Sequence, residues 1–140
     1  LGTHRPDYAL ELRSAELLTP RLMRMLAKAG IRYCVGLHDR MPEVERQETA
    51  IMALDGEVAG PLIVRWDLHR GFLYEAAKQR YEPFDKLVDE DGTTRQVLAR
   101  MAAAAFGNGQ KVWITANNKA EGCAPLSLLK LAQEISQTIS

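Results

Sequence analysis

Charged side chains recur two apart at places where the chain alternates apolar and polar residues: Glu11 with Arg13, and Arg65 with Asp67. In an extended strand, residues two apart share a face, so each pair presents a carboxylate and a guanidinium side by side. That combination suits a small anion held by the arginines Arg13 and Arg65, with Glu11 and Asp67 as the groups that donate or accept a proton. His38 and Asp39 follow an apolar run, and Asn117-Asn118-Lys119 follow another, adding an imidazole, two amides and an ammonium. His38, Asn117, Asn118, Lys119 and Gly122 join the arginines as candidate ligand contacts. The stretch from 117 to 125 leads from a strand into a helix, whose free N–H groups and positive dipole end attract anions.

Each of these residues has a plainer reading. Glu11, Arg13, Arg65 and Asp67 also form a self-contained ion-pair network, since a buried charge is costly unless it is paired. Paired asparagines serve as turn and capping residues, and Gly122 serves a positive φ. His38 is read alternatively as a loop histidine bonded to a backbone carbonyl, and His69 as solvent-exposed. A metal site built from Glu11, His38, Asp39, Asp67 and His69 has suitable donor types but no diagnostic spacing. The residues name no cofactor. No GxxxxGK loop, GxSxG elbow or HExxH motif occurs, which removes the common nucleotide, serine-hydrolase and zinc-protease signatures.

Four strand–helix units must position these groups. Residues 7–13, 31–37, 62–68 and 111–116 read as strands. Helical spacing follows at Leu18, Leu22, Met25, Leu26 and Ala29, at 44–54, at 74–81 and 94–106, and at Leu128, Leu131, Ala132 and Ile135. Gly30 stops the first helix, Asp55-Gly56 closes the second unit, and Pro125 suits the first turn of the last helix. Regular alternation predicts an α/β fold with a parallel sheet: a barrel, a half-barrel or a small open sheet. A full (β/α)8 barrel takes roughly 250 residues, so 140 supply about half of one. Helices are expected over both sheet faces. Ala9, Glu11, Arg13, Ile63, Arg65 and Asp67 would point into the barrel, while Leu10, Leu12, Leu62 and Val64 pack on helices. The open edges of a half-barrel predict pairing with an amino-terminal half or self-association.

Composition narrows the class further. The chain carries 18 basic and 18 acidic residues and is 46% hydrophobic, so it is long and apolar enough for one globular domain over residues 1–140. Balanced charge lowers the expectation of a nucleic-acid partner without removing it, because an arginine-lined mouth binds a single phosphate. No apolar run approaches the roughly 20 residues of a bilayer span, so a soluble, cytoplasmic protein without a membrane partner is expected. Cys34 and Cys123 lack CxxC spacing and are read as free thiols. The methionines at 23, 25, 52 and 101 are read as packing residues, and Asp89-Glu90-Asp91 as a solvated helix entrance.

Three blocks, Tyr8-Ala-Leu-Glu-Leu-Arg-Ser14, Pro61-Leu-Ile-Val-Arg-Trp66 and Val112-Trp-Ile-Thr-Ala-Asn-Asn-Lys-Ala-Glu-Gly-Cys-Ala-Pro125, resemble in order the later blocks of YecE-like proteins. The resemblance covers essentially the whole chain. It implies a TIM barrel about twice this length, of which these are the fifth to eighth units. It also implies site positions at Glu11, Arg13, Arg65, Asn117 and Asn118, with Gly122 and Ala124 fitting the same pattern. Many relatives carry Arg-x-His-Gly where this chain has Arg65-Trp66-Asp67-Leu68, so a role for the displaced His69 does not carry over. No reaction follows from the resemblance, which is to an uncharacterised family. Three functions are therefore expected to compete: an enzyme-like barrel acting on a small anionic or phosphorylated ligand, a metal-dependent phosphodiester hydrolase, and a non-catalytic binding or scaffold protein.

Overall fold

The computed structural model describes residues 7–53 and 60–140, so the Asp55-Gly56 turn lies outside the described residues. The elements are β1 (Ala9–Glu11), a 3-10 turn (Ala15–Leu17), α1 (Pro20–Ala29), β2 (Arg32–Leu37), α2 (Val44–Met52), β3 (Leu62–Trp66), α3 (Tyr74–Tyr81), α4 (Gly92–Gly107), β4 (Val112–Ala116) and α5 (Ala124–Ile139). α1 shows why the boundaries fall where they do. Thr19 accepts a hydrogen bond from Leu22 N at 3.2 Å, Pro20 opens the first turn, and Gly30 ends the helix at φ 68°. A side-chain acceptor, a fixed φ and a left-handed cap are the usual terminators of a helix.

All strands run parallel in the order β1-β2-β3-β4. The fold is thus α/β, a four-stranded parallel sheet with five helices among the described residues. Leu62, Val64 and Trp66 are buried, whereas Arg65 between them is exposed. Each buried aliphatic side chain stabilises the fold by about 1.5–3 kcal/mol. Met23, Leu26, Leu98 and Met101 of α1 and α4 belong to the same core.

Among the described residues, helices are not found on both faces. The face opposite the core leaves Arg65, Trp113 and Thr115 exposed, Trp113 by 61%. When each strand lies next to its predecessor and every crossover has the same hand, the crossover helices collect on one side. Leu10, expected beneath a helix, is 38% exposed because β1 is short and at the sheet edge. Met25 and Met52 are exposed rather than packed, while Met23 and Met101 are buried. On α5, Ser127 joins Leu131 on the buried face and Ala132 is exposed. Both cysteines are buried and free.

Candidate functional site

Two-residue periodicity places Glu11 on β1, Cys34 and Gly36 on β2, and Ile63 and Arg65 on β3 on the face opposite the core, with Glu11 paired to Cys34 and Gly36 to Arg65. Gly36 is what lets the strands communicate. A Cβ there would stand 3.0 Å from Glu11 Oε1 and 3.1 Å from its Cγ, so the glutamate side chain lies across the space a larger residue would fill. It reaches Arg65, whose Nη1 donates to Glu11 Oε2 at 2.5 Å. The other fork of Arg65, Nη2, meets Asp67 Oδ2 at 3.1 Å, and Arg13 Nη2 stands 3.2 Å from Glu11 Oε1. Glu11 Oε1 is buried and receives no aligned hydrogen bond, so its contact with Arg13 is electrostatic.

Two guanidiniums and two carboxylates thus balance at the carboxy-terminal ends of the strands. The carboxylates are mostly buried and the arginine side chains half exposed, 45% for Arg65 and 50% for Arg13. Burial raises the pKa of Asp67 above the ordinary carboxylate value, and repulsion from Glu11 adds to it against the attraction of Arg65, Arg13 and His38. Its hydrogen bond to Glu11 holds Arg65 more firmly protonated. Beneath them, burial pushes the Cys34 thiol up to about 11, which keeps it neutral.

His38 and Asp39 leave β2 at the same end of the sheet. His38 Nδ1 lies 2.5 Å from Asp39 Oδ1. His69 Nδ1 lies 2.8 Å from the Arg70 carbonyl, and its ring meets Phe72 edge-on at 5.0 Å. Neither plainer reading is found as stated: His38 has a carboxylate beside it rather than a carbonyl, and His69 is partly buried on a carbonyl rather than solvent-exposed. Both line a cavity of about 240 Å³ between the loops that follow β2 and β3. Arg70 spans these loops, with Nη1 3.0 Å from Glu43 Oε2 and Nη2 2.9 Å from Glu45 Oε1. Among the described residues, no three His, Cys, Asp or Glu side chains converge as a metal ion requires, so the donor set Glu11, His38, Asp39, Asp67 and His69 is not assembled as such.

Residues 117–124 are arranged around their own loop. Asn117 N continues the ladder to Trp66 O at 2.8 Å, and Asn117 Oδ1 accepts from Lys119 N at 3.1 Å and Lys119 Nζ at 3.3 Å. The Lys119 ammonium is buried 4.2 Å from the centre of the Tyr74 ring. Asn118 Oδ1 accepts from Ala124 N at 2.8 Å, which satisfies an amide at the start of α5. Gly122 has φ 118°, and a Cβ there would stand 2.5 Å from Lys86 O. Glu11, Arg13, Arg65 and Asp67 are therefore brought into contact, with His38 at the neighbouring strand end. Asn118, Lys119 and Gly122 instead shape the loop beside them.

Sequence reading misses three participants. Glu121 is fully buried and accepts from Arg95 Nη2 and, at 2.7 Å, from Asp91 N. Asp91 is itself buried and caps α4 through Thr94 N at 3.0 Å, so the entrance to that helix is only partly solvated. Gln47, also fully buried, meets Gly36 O and Gly36 N at 2.8 and 3.2 Å and takes a hydrogen bond from Tyr33 at 2.8 Å. The pairing of β1 with β2 stops at Glu11 and Cys34, and the carboxamide supplies Gly36 with the partner a strand would have given.

The model of a family described as protein of unknown function DUF72 matches residues 2–140. No curated protein and no solved structure matches the chain.

Proposed function

The chain belongs to the DUF72 family of proteins of unknown function, and from that premise we propose that its strand ends bind a small anionic or phosphorylated ligand. One observation carries this reading: two half-exposed arginines share two mostly buried carboxylates on an open sheet face, and one of those carboxylates is raised toward its neutral form. With both carboxylates charged, the cluster is neutral and Arg65 is occupied. When Asp67 takes a proton, the cluster gains one positive charge and Arg65 Nη2 can turn to an incoming anion. Asp67 then serves as the proton donor and Glu11 as the carboxylate that keeps Arg65 in place. Arg13 is the second cation, His38 and Asn117 border the same end of the sheet, and Asn118, Lys119 and Gly122 hold the loop that frames it.

The four units are read as half of a (β/α)8 barrel of YecE-like type. The parallel order, the single helix-covered face and the polar residues at the strand ends support that reading. The edges of β1 and β4 would then pair with four further units, supplied by a preceding half or by a second copy.

Thermal stability measured against inorganic phosphate tests the site. The midpoint is expected to rise with phosphate, since a ligand that binds only the folded state stabilises it by mass action. Arg65→Ala is expected to remove the response and Asn117→Ala to weaken it. No response, or one that survives both substitutions, refutes the site. Binding of many anions with turnover of none would favour a binding or scaffold protein.

A further inference from the structure

Lys119 is buried, yet no carboxylate among the described residues forms an ion pair with its ammonium. Arg95, buried to a similar depth, has three. One acceptor meets Lys119 Nζ, Asn117 Oδ1 at 3.3 Å, and the ring centres of Tyr74 and Phe84 lie 4.2 and 5.8 Å away. The ring faces offset part of the cost of burying a cation, but a buried charge ordinarily requires a counter-ion.

The contact with Lys119 determines how the Asn117 carboxamide is turned. Lys119 N donates to the same Oδ1 at 3.1 Å. A backbone amide and an ammonium only donate, so the atom that meets both is the oxygen, and the NH2 group is turned away from them. Nδ2 donates to none of the described residues and is not sealed from solvent. Its place is at the strand ends. Thr115 stands opposite Arg65 in the register, both are exposed, and Asn117 N extends that ladder to Trp66 O at 2.8 Å. Two residues beyond Thr115, Asn117 leaves β4 on the face that carries Arg65 and its partner Asp67.

We propose that Asn117 is the specificity-determining donor of the anion site, and that Lys119 acts on the ligand through it. The ligand is an oxyanion with two acceptor oxygens, one bound by Arg65 and the other by Asn117 Nδ2. The inference rests on the reading that the strand ends bind an anion at Arg65. The ammonium draws electron density from Oδ1 and leaves the Nδ2 hydrogens more positive, as hydrogen bonds in a chain polarise one another. Positive charge thus reaches the ligand through the amide, while the ammonium itself stays out of contact. Lys119 is a positioning residue. Sulfate, phosphate and carboxylates meet the requirement for two oxygens. A halide has no second oxygen and engages Arg65 alone.

Proton–nitrogen spectra of asparagine-labelled protein, recorded during a sulfate titration whose affinity is measured by calorimetry, test the inference. The side-chain resonances of Asn117 are told from those of Asn108 and Asn118 by their loss in Asn117→Ala. Sulfate is expected to move the Asn117 Nδ2 protons downfield and to leave those of Asn108 in place. Sulfate binding without that movement overturns the inference and spares the anion site. Chloride at the same ionic strength is expected to cause no movement, and an equal movement overturns the requirement for a second oxygen. Asn117→Asp puts a negative charge where the donors were and is expected to weaken sulfate binding about tenfold or more. Affinity that survives this substitution refutes the role of Asn117. Lys119→Met is expected to weaken binding severalfold and to shift the Nδ2 protons of the free protein upfield. Unchanged affinity with unchanged Nδ2 resonances refutes the role of Lys119. Failure of wild type to bind sulfate at all refutes the underlying anion site, and this inference with it.

Discussion

The cluster of Arg13, Glu11, Arg65 and Asp67 at the ends of β1 and β3, and the cluster of Arg95, Glu121 and Glu90 around α4, use the same residue types under opposite exposure. Arg95 is 5% exposed and Glu121 fully buried, whereas Arg65 is 45% exposed. In the α4 cluster the buried guanidinium is committed to three carboxylates, inward to Glu121 and outward to Glu90 at 3.2 Å and Glu134 at 3.4 Å. Glu121 in turn holds Asp91 N, and its backbone carbonyl holds Val88 N at 2.8 Å. That arrangement ties α4, the loop before it and the loop before α5 into one piece. At the strand ends the arginines instead lie at the surface of an open face, where a ligand can reach them. Charge pairing alone does not mark a site. The proposed site rests on the difference that a half-exposed cation can change partner at smaller cost than a buried one.

The largest contrast should appear in stability. Glu121→Ala leaves the Arg95 charge buried without its closest partner and is expected to cost about 3–5 kcal/mol in urea unfolding. Replacing both residues by apolar ones of similar size should recover most of that loss. Gly122→Ala should cost about 1–3 kcal/mol, because an alanine there is strained at positive φ and its Cβ would meet Lys86 O at 2.5 Å. Arg65→Ala should cost less than Glu121→Ala, about 1–2 kcal/mol, because the arginine is half exposed while the carboxylates it leaves are mostly buried, while removing the phosphate response. A large loss of stability for Arg65→Ala, or a negligible one for Glu121→Ala, would erase the distinction.

The smallest effect is one of sign in acid. The folded-state pKa of Asp67 is raised by burial, so its contribution to stability is present below the unfolded pKa and lost as pH rises through the folded one. Asp89 is the opposite case. Its hydrogen bond from Arg80 lowers its pKa, so its contribution is present above the unfolded pKa and lost as pH falls through the folded one. As pH falls through the carboxylate range, wild type should therefore gain on Asp67→Asn and lose on Asp89→Asn in chemical unfolding. Equal slopes for the two variants would contradict the assigned environments.

The strand-end cluster was legible in the sequence because its signal is local. Alternation along residues 9–13 and 62–67 assigns Glu11, Arg65 and Asp67 to a face before any tertiary contact is known. Strand–helix alternation gave the α/β class for the same reason. Glu121 was not legible, since in Asn117-Asn118-Lys119-Ala-Glu-Gly122 a glutamate reads as a solvated loop charge. What buries it is non-local: Arg95 on α4, the Asp91 amide, and the seating of Gly122 against residues 86–88. Gln47 was hidden in the same way, as a polar residue on a weakly patterned helix whose partner is a backbone left unpaired two residues beyond a short strand. Coverage of the sheet by helices on one side only follows from strand order, which residue patterns do not carry.

Sulfate, whose charge is constant through mildly acidic pH, is the probe that tests the strand-end site most directly, by calorimetric titration of wild type and Arg65→Ala. Wild type should bind sulfate more tightly as pH falls, with uptake of a proton revealed by heats that vary with the buffer, and Arg65→Ala should not bind. Binding that survives Arg65→Ala, or wild-type binding without proton uptake, would contradict a site in which Asp67 yields Arg65 to the anion.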